Sequence, residues 1–166
     1  MYFDIAICII TYNRGKRALE NVENILKNIK KNFCVLVLNN GSNLGVEEYK
    51  KIENLSKENS QLFYKRHKTN LQVHGNFRAC FDFNHSKYIM ILSDEDFVNI
   101  DGLDDILNDL KNYNNVAACR TSIEPHKDLI TPGNSYIYPN EYFMAGVSAL
   151  NGFSFFANYI SGIIHN

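Results

Sequence analysis

Short apolar runs alternate with amphipathic segments over most of the chain. The run at 5–11 is continuous and rich in Ile, which is typical of a strand buried on both faces of a parallel sheet. Apolar residues then recur at helical spacing between charged ones in 15–31, which predicts an amphipathic helix. The same criteria predict strands at 5–11, 34–38, 62–68, 88–92 and 116–119, and helices at 15–31, 46–58, 73–83 and 103–113.

The alternation of strands and helices predicts the fold class. Such an order is typical of an α/β protein whose open, mostly parallel sheet is flanked by helices on both faces. With 166 residues, of which 45% are hydrophobic, the chain is large enough to bury one core. We therefore interpret residues 1–166 as a single domain.

Polar clusters follow three of the predicted strands. Thr-Tyr-Asn-Arg occupies 11–14, an Asn-rich segment begins at 39, and Ser-Asp-Glu-Asp occupies 93–96. Ligands of open α/β sheets bind in the crevice outside the carboxyl ends of the strands. Each cluster alone is compatible with ordinary turn chemistry. The coincidence of three such clusters favours a shared ligand site.

The last of these clusters carries three consecutive acidic residues, Asp94, Glu95 and Asp96, directly after an apolar run. Adjacent carboxylates repel one another and are costly to desolvate, and a bound cation relieves both penalties. The pattern therefore predicts a divalent-metal site. The alternative is a solvated turn whose acids cap the following segment.

Charge, hydropathy and residue spacing argue against several other classes of protein. The formal net charge of -1 offers no strongly basic surface, so we expect no nucleic-acid partner. No apolar run is long enough to span a bilayer. The first run is interrupted by Asp4 and lacks a basic leader, which indicates a strand rather than a signal peptide, so the predicted compartment is the cytoplasm. The four Cys and five His residues lack the spacing of a metal motif.

Four short motifs, in order along the chain, resemble those of family 2 glycosyltransferases with the GT-A fold. They are Ile-Ile-Thr-Tyr-Asn-Arg at 9–14, Val-Leu-Asn-Asn-Gly-Ser at 37–42, Asn70 with Gly-Asn at 75–76, and Leu-Ser-Asp-Glu-Asp at 92–96. Each motif is short, but their order and spacing make the resemblance specific. It implies a Rossmann-like GT-A sheet in which 1–101 binds the nucleotide and 102–166 begins the acceptor half.

The resemblance also implies an activity and its partners. It implies a nucleotide-sugar donor, favours a UDP-sugar, and implies Mg2+ or Mn2+ held by an acidic motif of the DXD type. The sugar would pass, with inversion, to a glycan or lipid-linked acceptor in surface polysaccharide biosynthesis. A lipid-linked acceptor would bring the protein to the inner face of the membrane as a peripheral partner.

Site residues follow from this resemblance, position by position. Asp96 is the expected direct metal ligand, and Asp94 is expected near both ribose and metal. Asn39 stands where the family commonly has an Asp that accepts the imide proton of uracil, and an Asn keeps a carbonyl acceptor there. The assigned positions are Thr11, Tyr12, Arg14, Asn39, Asn70, Asn76 and Asp94 for the sugar nucleotide, and Asp94 and Asp96 for the metal.

The segment after 120 carries weaker patterns. Its three Pro residues indicate irregular connections, and the apolar stretch 152–164 is expected to be strand-like and to favour self-association where it is uncovered. We expect the natural protein to continue past Asn166. No residue matches the base that deprotonates the acceptor hydroxyl, and the fallback candidates are Glu124, Asp128 and Glu141. The alternative function is therefore a non-catalytic nucleotide- or carbohydrate-binding module derived from a transferase.

Overall fold

The computed structural model describes residues 2–112, 116–121, 161 and 163–166. The strands are β1 (Phe3–Thr11), β2 (Phe33–Asn39), β3 (Leu62–Arg66), β4 (Ser86–Ser93), β5 (Ala118–Arg120) and β6 (Ile163–His165), and the helices are α1 (Gly15–Asn28), α2 (Val46–Glu58), α3 (Gln72–Cys80) and α4 (Ile100–Asn112). None of the helices in these ranges is long and apolar enough to cross a membrane. The predicted irregular segment and the three candidate bases lie outside the described residues.

The described residues form one six-stranded sheet with the strand order β3-β2-β1-β4-β6-β5. The four strands β1 to β4 are parallel to their neighbours, while β6 pairs antiparallel with both β4 and β5. The prediction of a mostly parallel sheet is therefore confirmed. β6 is the end of the predicted strand-like stretch, whose residues 152–160 lie outside the described part of the chain.

Helices cover both faces of the sheet, as the alternation predicts. Alternate residues of β1, such as Ile7, are buried in a cluster with α1, α2 and α4. The residues between them, such as Cys8, join a second cluster with Cys80 of α3. A strand buried on both faces needs a continuous apolar run, and each fully buried Ile stabilises the fold by roughly 1.5–3 kcal/mol. Burial also makes the core thiols unreactive, since it raises the pKa of Cys34 to about 12.

Two helices end earlier than the hydrophobic pattern predicts. α1 stops at Asn28 because Ile29 adopts an extended backbone, with φ -62° and ψ 134°. α3 stops at Cys80 because Phe81 and Phe83 each donate their N–H to the carbonyl three residues earlier, which tightens the chain out of the α-helix. Ile29 and Phe83 still pack against the core beyond these ends. The apolar pattern therefore continues past the last helical residue of both helices.

The strand register places three polar strand ends at one edge of the sheet. Thr11 at the end of β1 lies opposite Asn39 of β2, and Ile10 lies opposite Ser93 of β4. The loops that follow these strands therefore leave the sheet side by side. This edge is where the sequence predicts a ligand crevice.

Candidate functional site

The loop after β1 is anchored by a tyrosine from α2. Tyr49 is buried, and its hydroxyl oxygen lies 2.7 Å from Thr11 Oγ1. The same Tyr49 oxygen accepts the backbone N–H of Arg14 at 3.2 Å. A tyrosine hydroxyl both donates and accepts, so one side chain fixes both ends of this short loop.

Asn13 ties the loop after β1 to the loop after β2. Its backbone is left-handed, with φ 58°, a conformation that Asn tolerates better than most residues. Its Oδ1 accepts the N–H groups of Asn43 at 2.8 Å and Leu44 at 3.1 Å, and its own N–H donates to Ser42 Oγ at 2.8 Å. Two of the three polar strand ends therefore behave as one hydrogen-bonded unit.

The first turns of α1 and α2 meet at two glycines. A Cβ added to Gly15 would lie 2.4 Å from the carbonyl oxygen of Gly45, which is closer than real Cβ atoms come to any backbone atom. Gly45 itself has φ 68°, in the left-handed region that glycine populates without strain. The absence of side chains here lets the first turns of α1 and α2 lie directly against each other.

Asp94 is the buried member of the acidic turn. It is 5% exposed, and Arg14 Nη1 donates to its Oδ1 at 3.2 Å while also pairing with the exposed Glu95. Burial raises the pKa of Asp94 above its ordinary value, and the Thr11 hydroxyl and the Arg14 guanidinium oppose this shift. In this arrangement the charge of Arg14 partly compensates the carboxylates at the end of β4.

Asp96 lies at the surface but is held at three points. Its Oδ2 accepts the hydroxyl of Ser161 at 2.5 Å, and its carbonyl accepts Nδ2 of the buried Asn21 at 2.6 Å. Its N–H donates to the carbonyl of Ser93 at 3.2 Å. Both the backbone and the carboxylate of Asp96 therefore have defined orientations.

The chemistry of this donor set fits a divalent cation that is completed by a ligand. Within the described residues, no group of three or more His, Cys, Asp or Glu side chains is arranged to hold a metal ion by itself. Mg2+ ordinarily takes only one or two protein carboxylates beside the phosphates of a substrate. Asp94 and Asp96 supply two carboxylates at the end of β4. They suit a cation whose coordination a bound ligand completes rather than one that the protein binds alone.

Asn39 is held by hydrogen bonds within the protein at the end of β2. It is fully buried; its Oδ1 accepts the N–H of Ser42 at 2.9 Å and its Nδ2 donates to the hydroxyl of Tyr64 at 2.9 Å. Both polar groups therefore have protein partners, and they shape the turn after β2. Recognition of uracil by Asn39 stays a prediction. It requires the second lone pair of Asn39 Oδ1 to accept the imide proton of uracil, because the first already accepts the N–H of Ser42.

Asn39→Asp should still fold, with a moderate loss of stability because the new carboxylate is buried. A carboxylate would still accept the N–H of Ser42, and the Tyr64 hydroxyl can donate to it, while Arg66 on the neighbouring strand supplies positive charge. We expect the free energy of unfolding in urea to fall by no more than about 3 kcal/mol, because these hydrogen bonds to a charged group, worth about 1.5–3 kcal/mol each, offset most of the cost of burying the carboxylate. A larger loss would show that this turn does not accommodate the charge.

Asn70 and Asn76 lie on either side of the start of α3. The exposed Asn70 accepts Nδ2 of the buried Asn40 at 2.9 Å, and Asn40 Oδ1 accepts the N–H of Leu71 at 2.8 Å. Asn76 is buried instead, and its Nδ2 donates to the carbonyl of Leu38 at 3.3 Å while its Oδ1 has no hydrogen-bond partner among the described residues. The structure therefore places Asn70 at the surface of the site and Asn76 beneath it.

Four further residues shape the site: Asn40, which lies within the motif at 37–42 but received no role there, and Asn21, Tyr49 and Ser161, which lie outside the motifs. Asn21 and Tyr49 were detectable in principle, because each puts a polar group on the buried face of an amphipathic helix. Asn40 follows Asn39 in the Asn-rich segment, and its residue type indicates only a turn there. Ser161 has no local signal, because its role depends on pairing between distant strands.

Asp94→Asn should stabilise the ligand-free protein as the pH rises. A carboxyl group whose pKa is raised on folding contributes stability below its unfolded pKa, and this contribution is lost as the pH rises through the folded pKa. The amide does not titrate, so its advantage in unfolding free energy should grow from about pH 4 upwards. Urea unfolding of both proteins across this range measures the gap, and a gap independent of pH would contradict the account.

An open cavity of about 390 Å³ lies beside the first turn of α1, lined by Asn13, Arg14, Gly15, Lys16, Arg17, Gly45 and Glu48. Three of these side chains are cationic and one is a carboxylate. The first turn of α1 contains no acidic residue, so its N–H groups add to the positive potential. The cavity can therefore attract an anion next to the acidic turn.

Comparisons with known proteins identify solved structures with a similar fold. TarS residues 1–349 from S. aureus, in complex with UDP-GlcNAc, shares 17% identity and a TM-score of 0.51 over 66% of this chain and 32% of that chain. Mannosyltransferase PcManGT from Pyrobaculum calidifontis, in complex with GDP-Man and Mn2+, shares 15% identity and a TM-score of 0.56 over 77% and 37%. A search of curated protein sequences found no significant match.

These likenesses show the fold, which is the GT-A fold of glycosyltransferases. The chain spans about a third of the length of these solved structures. The profile of the family described as "Glycosyl transferase family 2" matches residues 6–163, nearly the whole chain. The chain therefore belongs to glycosyl transferase family 2.

Proposed function

We propose that the chain binds a nucleotide sugar, with UDP as the preferred nucleotide, at the carboxyl ends of β1, β2 and β4 and transfers the sugar to an acceptor. The observation that carries the proposal is the register that aligns Thr11, Asn39 and Ser93 at one edge of the sheet. In open α/β sheets this edge is the ordinary ligand site. Two transferases with a similar fold are complexed with UDP-GlcNAc and GDP-Man, which supports a nucleotide-sugar ligand.

Arg14 is the residue that we expect to bind the diphosphate. Its side chain is half exposed and pairs with Asp94 and Glu95 in the ligand-free protein. A guanidinium matches phosphate oxygens with two parallel hydrogen bonds, so Arg14 can exchange one anionic partner for another. Thr11 lies at the same strand end, and the exposed Tyr12 offers an aromatic face to the nucleotide.

Asp94 and Asp96 would hold Mg2+ or Mn2+, with Asp96 as the direct ligand. A divalent cation there would supply positive charge to the diphosphate as the bond between sugar and phosphate breaks. Burial raises the pKa of Asp94, and Thr11 and Arg14 oppose this shift by favouring the ionised form. These two neighbours therefore keep a buried carboxylate available for ligation.

The proposed transfer is inverting. The acceptor oxygen attacks the anomeric carbon, the bond to the phosphate oxygen breaks, and a base removes the proton of the acceptor hydroxyl. Glu124, Asp128 and Glu141 are the candidate bases, and they lie outside the described residues. We further propose a glycan or lipid-linked acceptor, a role in surface polysaccharide biosynthesis, and a cytoplasmic location at the inner face of the membrane.

A transfer assay tests the proposed activity. The purified chain is incubated with Mn2+ and a panel of UDP-sugars and GDP-sugars, with and without glycan and lipid-linked acceptors. Release of nucleoside diphosphate that rises with acceptor supports a transferase. No release from any sugar nucleotide that the chain demonstrably binds would refute catalysis by this chain. The result would favour the alternative of a non-catalytic binding module derived from a transferase.

A further inference from the structure

Ser161, which lies just before β6 in the chain, forms hydrogen bonds with both ends of the acidic turn that follows β4. Its hydroxyl donates to Asp96 Oδ2 at 2.5 Å and accepts the N–H of Ser93 at 2.9 Å. Because the Ser93 N–H occupies a lone pair, the single hydroxyl proton is directed at the carboxylate. Ser161 is buried, so water competes little for either bond.

The sheet explains how a distant residue reaches this position. β6 is antiparallel to β4, with Ile163 opposite Ile91. The amino end of β6 therefore lies at the carboxyl end of β4, where the acidic turn begins. Ser161 stands just before β6 and is 65 residues from Asp96 along the chain. The pairing of β6 with β4 thus places the Ser161 hydroxyl next to Asp96, the proposed metal ligand.

We propose that Ser161 is a positioning residue that fixes the Asp96 carboxylate for a divalent cation. This inference rests on the metal-dependent function proposed above. By donating to Oδ2, Ser161 sets the orientation of the carboxylate and leaves Oδ1 available to the cation. Asn21 also restrains Asp96, because the Asn21 side-chain amide donates to the backbone carbonyl of Asp96. Hydrogen-bond partners of ligating side chains typically change metal affinity about 10–100-fold when they are removed.

Titration calorimetry with Mn2+ tests the inference. The chain is saturated with UDP or GDP, whichever the unmodified chain binds more tightly, and Mn2+ affinity is measured for the unmodified chain, Ser161→Ala and Ser161→Thr. We expect Ser161→Ala to bind Mn2+ about 10–100-fold more weakly. Ser161→Thr retains the hydroxyl and should retain most of the affinity. The affinity of Ser161→Ala for the nucleotide in chelator should be unchanged.

Matched controls separate positioning from folding. Ser56→Ala removes another serine hydroxyl, which donates to the Glu53 carbonyl within α2 at 2.7 Å, and should leave Mn2+ affinity unchanged. Ser161→Cys keeps the volume with a weaker donor, and should bind Mn2+ with intermediate affinity if Ser161→Ala does not fold.

The outcomes distinguish this inference from the proposed function. Unchanged Mn2+ affinity in Ser161→Ala, or in Ser161→Cys if only that variant folds, would overturn the role of Ser161 alone. If the unmodified chain binds nucleotide equally with Mn2+ and with chelator, both the metal-dependent function and this inference are overturned.

Discussion

Asp96→Ala should abolish the dependence of nucleotide binding on metal. The unmodified chain should bind UDP more tightly in Mn2+ or Mg2+ than in chelator, because a cation held by Asp96 at the end of β4 would supply positive charge to the phosphates. Without the Asp96 carboxylate the cation loses its expected direct ligand. Affinity in metal should then fall to the value in chelator, as measured by titration calorimetry.

Asp105→Ala is the matched control for this experiment. Asp105 is an exposed acidic residue on α4, away from the strand ends, so the substitution removes the same charge without touching the site. It should preserve the difference between metal and chelator. If Asp96→Ala also preserves that difference, the assignment of Asp96 as a metal ligand is wrong.

Gly15→Ala should destabilise the protein and weaken its binding of nucleotide. The new Cβ would lie 2.4 Å from the Gly45 carbonyl oxygen, and this neighbour is backbone, which cannot move as a flexible side chain would. Overpacking of this kind typically costs about 1–3 kcal/mol of unfolding free energy. Separation of α1 from α2 would also shift the adjacent Arg14. Urea unfolding and nucleotide titration measure the two effects.

Gly102→Ala separates this steric effect from a general effect of alanine. Gly102 lies within α4, and the atoms nearest to an added Cβ are 3.8 Å away in the Asn99 side chain. Alanine is favoured over glycine inside a helix by about 1 kcal/mol, so this variant should be slightly more stable. Gly15→Ala with the stability of the unmodified protein would contradict the close contact.

Much of the fold could be predicted from sequence because local patterns decide it. The apolar run in β1 indicated a strand buried on both faces, and the polar strand ends indicated the edge where a ligand binds. Parallel neighbours must end at the same edge, so Thr11, Asn39 and Ser93 could be expected to converge. The alternating pattern was sufficient for these conclusions.

Other features depend on contacts between distant residues, which local patterns do not encode. The residue type of Asn39 indicated a polar strand end, but its orientation is set by Ser42 and Tyr64, which turn the side chain inward. Ser161 reaches the acidic turn only because β6 inserts antiparallel between β4 and β5. A periodic pattern predicts that a strand exists, but it does not predict which neighbour the strand will pair with.

The most direct test of the proposed site is a crystal structure of the chain grown with UDP and Mn2+, with the anomalous signal of manganese used to locate the metal. We predict a manganese peak beside the Asp96 carboxylate, with the diphosphate between that peak and the Arg14 guanidinium. A nucleotide bound at another edge of the sheet, or a manganese peak remote from Asp94 and Asp96, would contradict the account.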